Sequence, residues 1–192
     1  MNNQTIDITK LRKSYYEIKP DPSNKDQSVA FGTSGHRGSS LFGTFNQMHI
    51  EAIVQAIVDY RKEANINGEI FLGMDSHALS LPAIISTIEV LAANEVSFYV
   101  DKNLNFDDKG GFTPTPVVSF SILEKNKKSQ NNLSDGIIIT PSHNPPEDGG
   151  IKYNPPTGGP AESAITKWIE RKANNYILEN NNKVKKVAFE KA

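Results

Sequence analysis

A hydroxyl and an imidazole stand side by side at Ser142 and His143, within the polar stretch Thr140-Pro141-Ser142-His143-Asn144-Pro145-Pro146-Glu147-Asp148-Gly149-Gly150. Such groups support nucleophilic or group-transfer chemistry when a fold presents them at a strand end. The preceding run Gly136-Ile137-Ile138-Ile139 reads as a buried strand, so the loop should emerge at its C-terminal end. Three prolines stiffen the stretch and two glycines release it, which limits the ordering entropy lost when a ligand binds. Ser142 is the first candidate for a reacting group. Neighbouring side chains of an extended chain point to opposite sides, so His143 need not be its base. The stretch also lacks a G-x-S-x-G elbow, and no third member of a hydrolase triad stands out. On composition alone, Pro145 to Gly150 is a rigid exposed turn.

A second polar loop, Gly32-Thr33-Ser34-Gly35-His36-Arg37-Gly38-Ser39-Ser40, follows the short apolar strand candidate Val29-Ala30-Phe31. Its glycines recur every third residue, which fits neither the G-x-x-x-x-G-K-[ST] phosphate loop nor the G-x-G-x-x-G dinucleotide fingerprint. Glycine N–H groups with Thr33, Ser34 and Arg37 could cradle a phosphate. The same residues suit a tight connection in which glycines supply positive φ and hydroxyls cap the turn, and spacing alone slightly favours that reading. Asp75-Ser76-His77 forms another strand-end loop. Lys152 and His77 are isolated, and Asp75, Glu147 and Asp148 are too scattered to make a metal site by themselves.

The elements that must position these loops are legible from periodicity. A weak helical pattern (Ile6, Ile8, Leu11, Tyr15) precedes a break at Pro20 to Asn24. Asn46 is a plausible N-cap for a helix carrying Ile50, Ile53, Val54, Ile57 and Tyr60, which Asn65 and Gly68 end. Glu69 to Met74 is a strand, and a helix follows from Ser80 with Pro82 tolerated in its first turn. Val96 to Val100 is the next strand candidate, and Gly110 to Pro116 leads into a helix carrying Val117, Val118, Phe120, Ile122 and Leu123. A last helix carries Ile165, Trp168, Ile169, Ala173 and Tyr176, with Trp168 expected in the core. Alternating strands and helices with apolar strands predict an α/β domain of three α/β/α layers with a mixed, mostly parallel sheet. The expected organisation is an N-terminal arm over 1–28, a domain over 29–178, and the polar start of a linker over 179–192.

Composition narrows the partners. The chain has 192 residues, a formal net charge of -1 and no cysteine. One core is expected, with no electrostatic case for nucleic acid or an anionic membrane, and neither a disulfide framework nor a thiolate metal site is possible. No apolar run is long enough to cross a bilayer, and Met1 to Lys13 is too polar for a secretory signal. A small-molecule partner and a reducing, cytoplasmic setting follow as expectations.

Val29-Ala30-Phe31-Gly32-Thr33-Ser34-Gly35-His36-Arg37-Gly38-Ser39-Ser40, paired with Thr140-Pro141-Ser142-His143-Asn144-Pro145-Pro146, resembles the α-D-phosphohexomutase superfamily, and more narrowly its bacterial glucose-phosphate-specific phosphoglucomutase branch. Asp75-Ser76-His77-Ala78-Leu79-Ser80 and Glu147-Asp148-Gly149-Gly150-Ile151-Lys152-Tyr153-Asn154-Pro155-Pro156 are similar to the same branch. The resemblance implies domain I of a mutase that interconverts glucose 1-phosphate and glucose 6-phosphate through glucose 1,6-bisphosphate, with Ser142 as the phosphorylated residue. It implies that Arg37 neutralises phosphate, and that His143 and Lys152 transfer protons and stabilise charge, with the choice of base between them open. Thr33, Ser34 and Gly35 would line the phosphate pocket, with Asn144 holding the loop. Mg²⁺ is the implied cofactor, Ser142 giving one ligand through its phosphate. The family's Asp-rich metal loop, sugar-reading loop and distal phosphate loop have no counterpart in this sequence. The partners implied are a hexose phosphate and the remaining domains of the polypeptide, and the chain alone is expected to have little mutase activity. A mannose- or glucosamine-phosphate mutase domain, or a non-catalytic module that binds a sugar phosphate or a partner domain, is the alternative.

Overall fold

The computed structural model describes residues 6–32, 35–107, 109–129 and 131–192. In chain order these fold as α1 (Ile8–Glu17), β1 (Phe31–Gly32), β2 (Gly35–Ser39), α2 (Gln47–Glu63), β3 (Ile70–Met74), α3 (Ser80–Ala93), β4 (Phe98–Tyr99), α4 (Thr115–Asn126), β5 (Asp135–Ile139), β6 (Asp148–Asn154) and α5 (Ser163–Leu178). Periodicity located all five helices. Asn46 takes the N-cap position of α2 with extended backbone, its N–H donating to His49 Nδ1 at 3.2 Å. Its side-chain amide donates to the Ser14 carbonyl at 2.8 Å, which ties the start of α2 to α1.

The strands form one six-stranded mixed sheet in the order β1-β2-β6-β5-β3-β4. The three-layer α/β/α arrangement is the expected one, but the parallel share is smaller than expected. Only β3 with β4 and β3 with β5 are parallel; β1 with β2, β2 with β6, and β5 with β6 are antiparallel. The physical reason is local: β5 returns to β6 through the short Ser142 loop, with no crossover helix to restore direction. The segment expected to be a loop from Gly32 to Ser40 is therefore largely strand, with Gly35 to Ser39 as β2. Likewise the turn expected over Pro145 to Gly150 ends early, since β6 already begins at Asp148. Glycine-rich strands give almost no period-two hydrophobic signal, which is why sequence patterning missed both.

Most of the core lies on one face, where α2 runs between α3 and α5. Ile50, Ile53, Val54 and Ile57 of α2 meet Ile70, Leu72, Ile137, Ile139, Ile151 and Tyr153 of the sheet, all buried. On the opposite face α4 packs on β3 and β5, where Val118 and Ile122 cover Ile138. Trp168 is only partly buried, edge-on to Tyr60 with centroids 5.7 Å apart. The N-terminal segment contributes Leu11 and Tyr15 to the core, both fully buried, with the Tyr15 hydroxyl donating to Ser86 Oγ at 3.0 Å. Residues 179–192 lie across α2 and α3: Asn181 Nδ2 donates to the Met48 carbonyl at 2.9 Å, Val187 N–H to the Glu89 carbonyl at 3.2 Å, and Lys186 pairs with Glu51 at 2.7 Å. No helix of the described residues is long and apolar enough to cross a membrane.

Two stacked histidines join β2 to α2, with ring centroids 5.3 Å apart. His36 Nε2–H donates to the Thr44 carbonyl at 2.8 Å, and Nδ1 accepts the Ala30 N–H at 3.2 Å. His49 Nε2–H donates to the Gln27 carbonyl at 2.8 Å, and its Nδ1 accepts from Asn46. Each ring is thereby satisfied as a neutral tautomer. Burial, reinforced by the His49 ring, pushes His36 down to about 3, and burial also lowers His49. The unfolded chain takes up protons near pH ~6.5 and the folded chain resists them, so both rings cost stability as pH falls below that value, His36 by about 2 kcal/mol at pH ~5. Denaturant unfolding across that range should show a steeper acid loss in the parent than in His36→Gln; equal slopes would refute the assignment.

Candidate active site

Ser142 sits where β5 ends. The ladder runs one step past Ile139, with Thr140 N–H donating to the Gly150 carbonyl at 2.8 Å, and the loop then turns away. Ser142 has φ 65, the left-handed region, which an L residue with a Cβ occupies only at a cost of about 1–2 kcal/mol. Its N–H donates to Thr140 Oγ1 at 2.9 Å. Asn144 N–H closes on the Pro141 carbonyl, and Asn144 Nδ2 donates to Asp148 Oδ2 at 3.0 Å, bracing the loop against the first residue of β6. Ser142 and His143 are exposed, and no hydrogen bond or ion pair is made by His143 among the described residues.

Sheet register decides which candidates share the serine's side. Arg37 of β2 pairs with Gly150 of β6, and Lys152 of β6 pairs with Ile138 of β5. Alternation then places Arg37, Gly150, Lys152 and Ile138 on one face, the face of α4. Because α4 packs on β3 and β5, the part of this face over β6 and β2 is left for Arg37 and Lys152. Lys152 Nζ reaches across and donates to Ser142 Oγ at 2.6 Å. Burial lowers the Lys152 pKa, as does the nearby Arg37 guanidinium, against an upward pull from Asp75. The serine oxygen thus already has a cationic proton donor at contact distance, one whose proton is released more readily than that of an exposed lysine.

Close backbone approach makes this crossing possible. Gly35 has φ 138, and a Cβ there would lie 2.3 Å from the Ile151 carbonyl oxygen and 2.9 Å from Lys152 Cγ. A Cβ on Gly150 would meet the Thr140 carbonyl oxygen at 2.3 Å. Both glycines let the serine-bearing and lysine-bearing strands lie against their neighbours without a side chain between them. Thr33 and Ser34 lie outside the described residues.

Sequence reasoning set Asp75 aside as a metal ligand and gave neither it nor Thr140 a role at the serine. Asp75 immediately follows β3, its N–H donating to the Ile139 carbonyl at 3.1 Å. Its carboxylate accepts from Thr140 Oγ1 at 2.5 Å, Ser80 Oγ at 2.6 Å, His77 Nδ1 at 2.9 Å and His77 N–H at 3.0 Å. The Asp-x-His spacing after an apolar strand was the available signal, since an aspartate there accepts the N–H two residues on. A groove of about 700 Å³ opens beside the loop, walled by Arg12, Ser76, His77, Phe112 and Pro146 among others. Among the described residues no group of three or more histidine or acidic side chains could hold a metal ion.

Residues 28–180 match the family model for the α/β/α domain I of phosphoglucomutase/phosphomannomutase. The chain belongs to this family. It is 53% identical over 190 residues to a phosphoglucomutase of Komagataeibacter xylinus, covering 99% of this chain and 33% of that protein. A cytoplasmic phosphoglucomutase of Mesembryanthemum crystallinum is 34% identical over 187 residues, or 94% of this chain and 28% of that one. Among solved structures, the open form of the Paramecium exocytosis-sensitive phosphoprotein pp63/parafusin, a phosphoglucomutase, superposes with a TM-score of 0.65 at 30% identity, over 82% of this chain and 26% of that one. The chain thus spans about a third of the length of the curated relatives it matches.

Proposed function

We propose that this chain is the phosphoserine-bearing domain of a cytoplasmic phosphoglucomutase, with Ser142 carrying the phosphoryl group between glucose 1-phosphate, glucose 1,6-bisphosphate and glucose 6-phosphate. The observation that supports this most is the 2.6 Å hydrogen bond from Lys152 Nζ to Ser142 Oγ, on a loop braced at both ends. In the forward step the Oγ–P bond of phosphoserine breaks as a sugar hydroxyl oxygen bonds to phosphorus. Lys152 gives its proton to the departing Oγ, and the sugar hydroxyl loses its own to a base. His143, exposed and without an internal hydrogen bond, is the imidazole free to take it. Phosphoserine places about -1.5 to -2 charge beside Lys152 and Arg37, and phosphoryl transfer depends mainly on such positioning and neutralisation. Mg²⁺ would add Lewis-acid stabilisation of the phosphoryl oxygens, held on this chain by the Ser142 phosphate, with its remaining ligands from the rest of the polypeptide.

The test is intact-mass analysis after incubation with glucose 1,6-bisphosphate. The parent should gain one phosphoryl group and Ser142→Ala none; phosphate retained by Ser142→Ala would exclude this serine as the carrier. In a coupled assay the 192-residue chain by itself should convert glucose 1-phosphate to glucose 6-phosphate hardly at all.

A further inference from the structure

We infer that Asp75 is the positioning residue of the reactive serine: acting through Thr140 and His77, it holds Ser142 in its left-handed backbone conformation and so aims Oγ at Lys152. The inference concerns the Ser142 site and rests on the phosphoryl-carrier reading only for its catalytic consequence.

The argument starts from what a left-handed serine requires. Nothing in the side chain of Ser142 favours φ 65, so the surrounding contacts must outweigh the strain. The contact nearest the strained bond is Ser142 N–H to Thr140 Oγ1. A threonine hydroxyl rotates freely unless its own proton is engaged, and here that proton goes to Asp75 Oδ2. The acceptor lone pairs of Thr140 are thereby turned toward Ser142. On the other side of the loop, the His77 ring stands between Asp75 and the backbone, with Nδ1–H donating to Oδ2 and, when the ring carries its second proton, Nε2–H donating to the Asn144 carbonyl oxygen at 3.3 Å. One carboxylate thus reaches the Ser142 N–H through the Thr140 hydroxyl, and the backbone two residues after Ser142 through the His77 ring.

Asp75 is itself fixed independently of the loop. Its Oδ1 accepts Ser80 Oγ, in the first turn of α3, and the His77 N–H. Its backbone is tied to β5 through the Ile139 carbonyl. The clamp is therefore anchored in α3 and β3, elements of the core, and reaches out to an exposed loop. The same carboxylate also raises the Lys152 pKa against burial and Arg37, so it acts on both members of the Ser142–Lys152 pair. Misplacement of a reacting group by about 1 Å can cost on the order of 10² in rate, which sets the scale of the effect.

The test compares Thr140→Val, which keeps shape and removes the hydroxyl, with Thr140→Ser, which keeps it, and with Asp75→Ala. Amide hydrogen exchange is read residue by residue on the whole chain. Thr140→Val and Asp75→Ala should speed exchange at Ser142 by about 10- to 100-fold while β5, β3 and α3 keep their protection, and Thr140→Ser should stay within about 3-fold of the parent. Unchanged Ser142 exchange in Thr140→Val, or equal acceleration in Thr140→Ser, would overturn the clamp. So would a general loss of protection across β5 and β3 in Thr140→Val, which is what a merely structural role gives. Loading of Ser142 from glucose 1,6-bisphosphate should follow the same order, parent and Thr140→Ser above Thr140→Val. Phosphate carried on a residue other than Ser142 would sink the carrier reading, and the exchange result would still decide the clamp.

Discussion

Lys152→Met is expected to slow the loading of Ser142 from glucose 1,6-bisphosphate by about 10²- to 10⁴-fold, the range seen when a positioned proton-transfer group is removed. Lys152 is singled out over His143 and Arg37 because it alone of the three donates directly to Ser142 Oγ. The methionine keeps most of the stem volume, so β6 should hold its register between β2 and β5 and the thermal midpoint should move little. Lys152→Arg should not restore the rate. A guanidinium keeps its charge but does not release a proton in this pH range, and its planar fork does not fit a contact made by a single ammonium. Single-turnover loading followed by intact mass separates these outcomes. If Lys152→Arg recovers parental loading, charge alone suffices and the proton-transfer role falls. Loading runs the forward step in reverse, so Lys152 must accept the Ser142 proton, and the Arg37 guanidinium, which lowers the Lys152 pKa, favours the form that can; Arg37→Met should therefore move the acid limb of loading to higher pH as well as weakening phosphate neutralisation.

The helical layer was legible in the sequence because its physics is local: Ile50, Ile53, Val54 and Ile57 mark one face of a helix wherever they occur, and Asn46 marks its start. The strands with most chemistry were the least legible. Arg37 lies on a strand of sequence Gly-His-Arg-Gly-Ser, and Lys152 on Asp-Gly-Gly-Ile-Lys-Tyr-Asn, neither of which alternates in hydrophobicity. Their register comes from backbone approach at glycines and from the short return of the Ser142 loop, which are tertiary facts. The same holds for residues 179–192, where a polar, asparagine-rich composition suggested a linker and side-chain amides instead tie the segment to α2. Ser142 and Lys152 were named together from family resemblance; their contact needed the β5–β6 hairpin, and the anchoring of that hairpin by Asp75 needed the parallel pairing of β3 with β5.

Removing one member of the buried cluster behind Lys152 should have the largest effect on stability. Arg61 Nε donates to Asp135 Oδ2 at 2.9 Å, the Tyr153 hydroxyl donates to the same oxygen at 2.7 Å, and Asp135 is fully buried. Asp135 Oδ1 is buried without a hydrogen-bond partner among the described residues. Burial pushes the Asp135 carboxyl up to about 6, against the opposing pull of Arg61 and Tyr153. Because its folded pKa lies above the unfolded value, the group binds its proton more tightly in the fold, and its ionisation costs stability as pH rises from about 4 toward about 6. Arg61→Met removes the one cation at hydrogen-bond distance and is expected to cost about 3–5 kcal/mol near neutral pH. Part of that loss should be regained near pH ~5, where the carboxyl is protonated, an effect opposite in sign to that of His36. The triple change Arg61→Met, Asp135→Leu, Tyr153→Phe should recover most of the stability, because no charge or hydroxyl is then left buried without a partner. Denaturant midpoints for the single and triple variants, taken at both pH values, decide this; a triple variant as unstable as Arg61→Met would show that the cluster supplies net stability as an ion pair. Tyr153 neighbours Lys152 on β6 and Asp135 begins β5, so the cluster also holds together the two strands that bring Lys152 to Ser142. A triple variant that regains stability but not Ser142 loading would place the selective value of this costly buried charge in strand register.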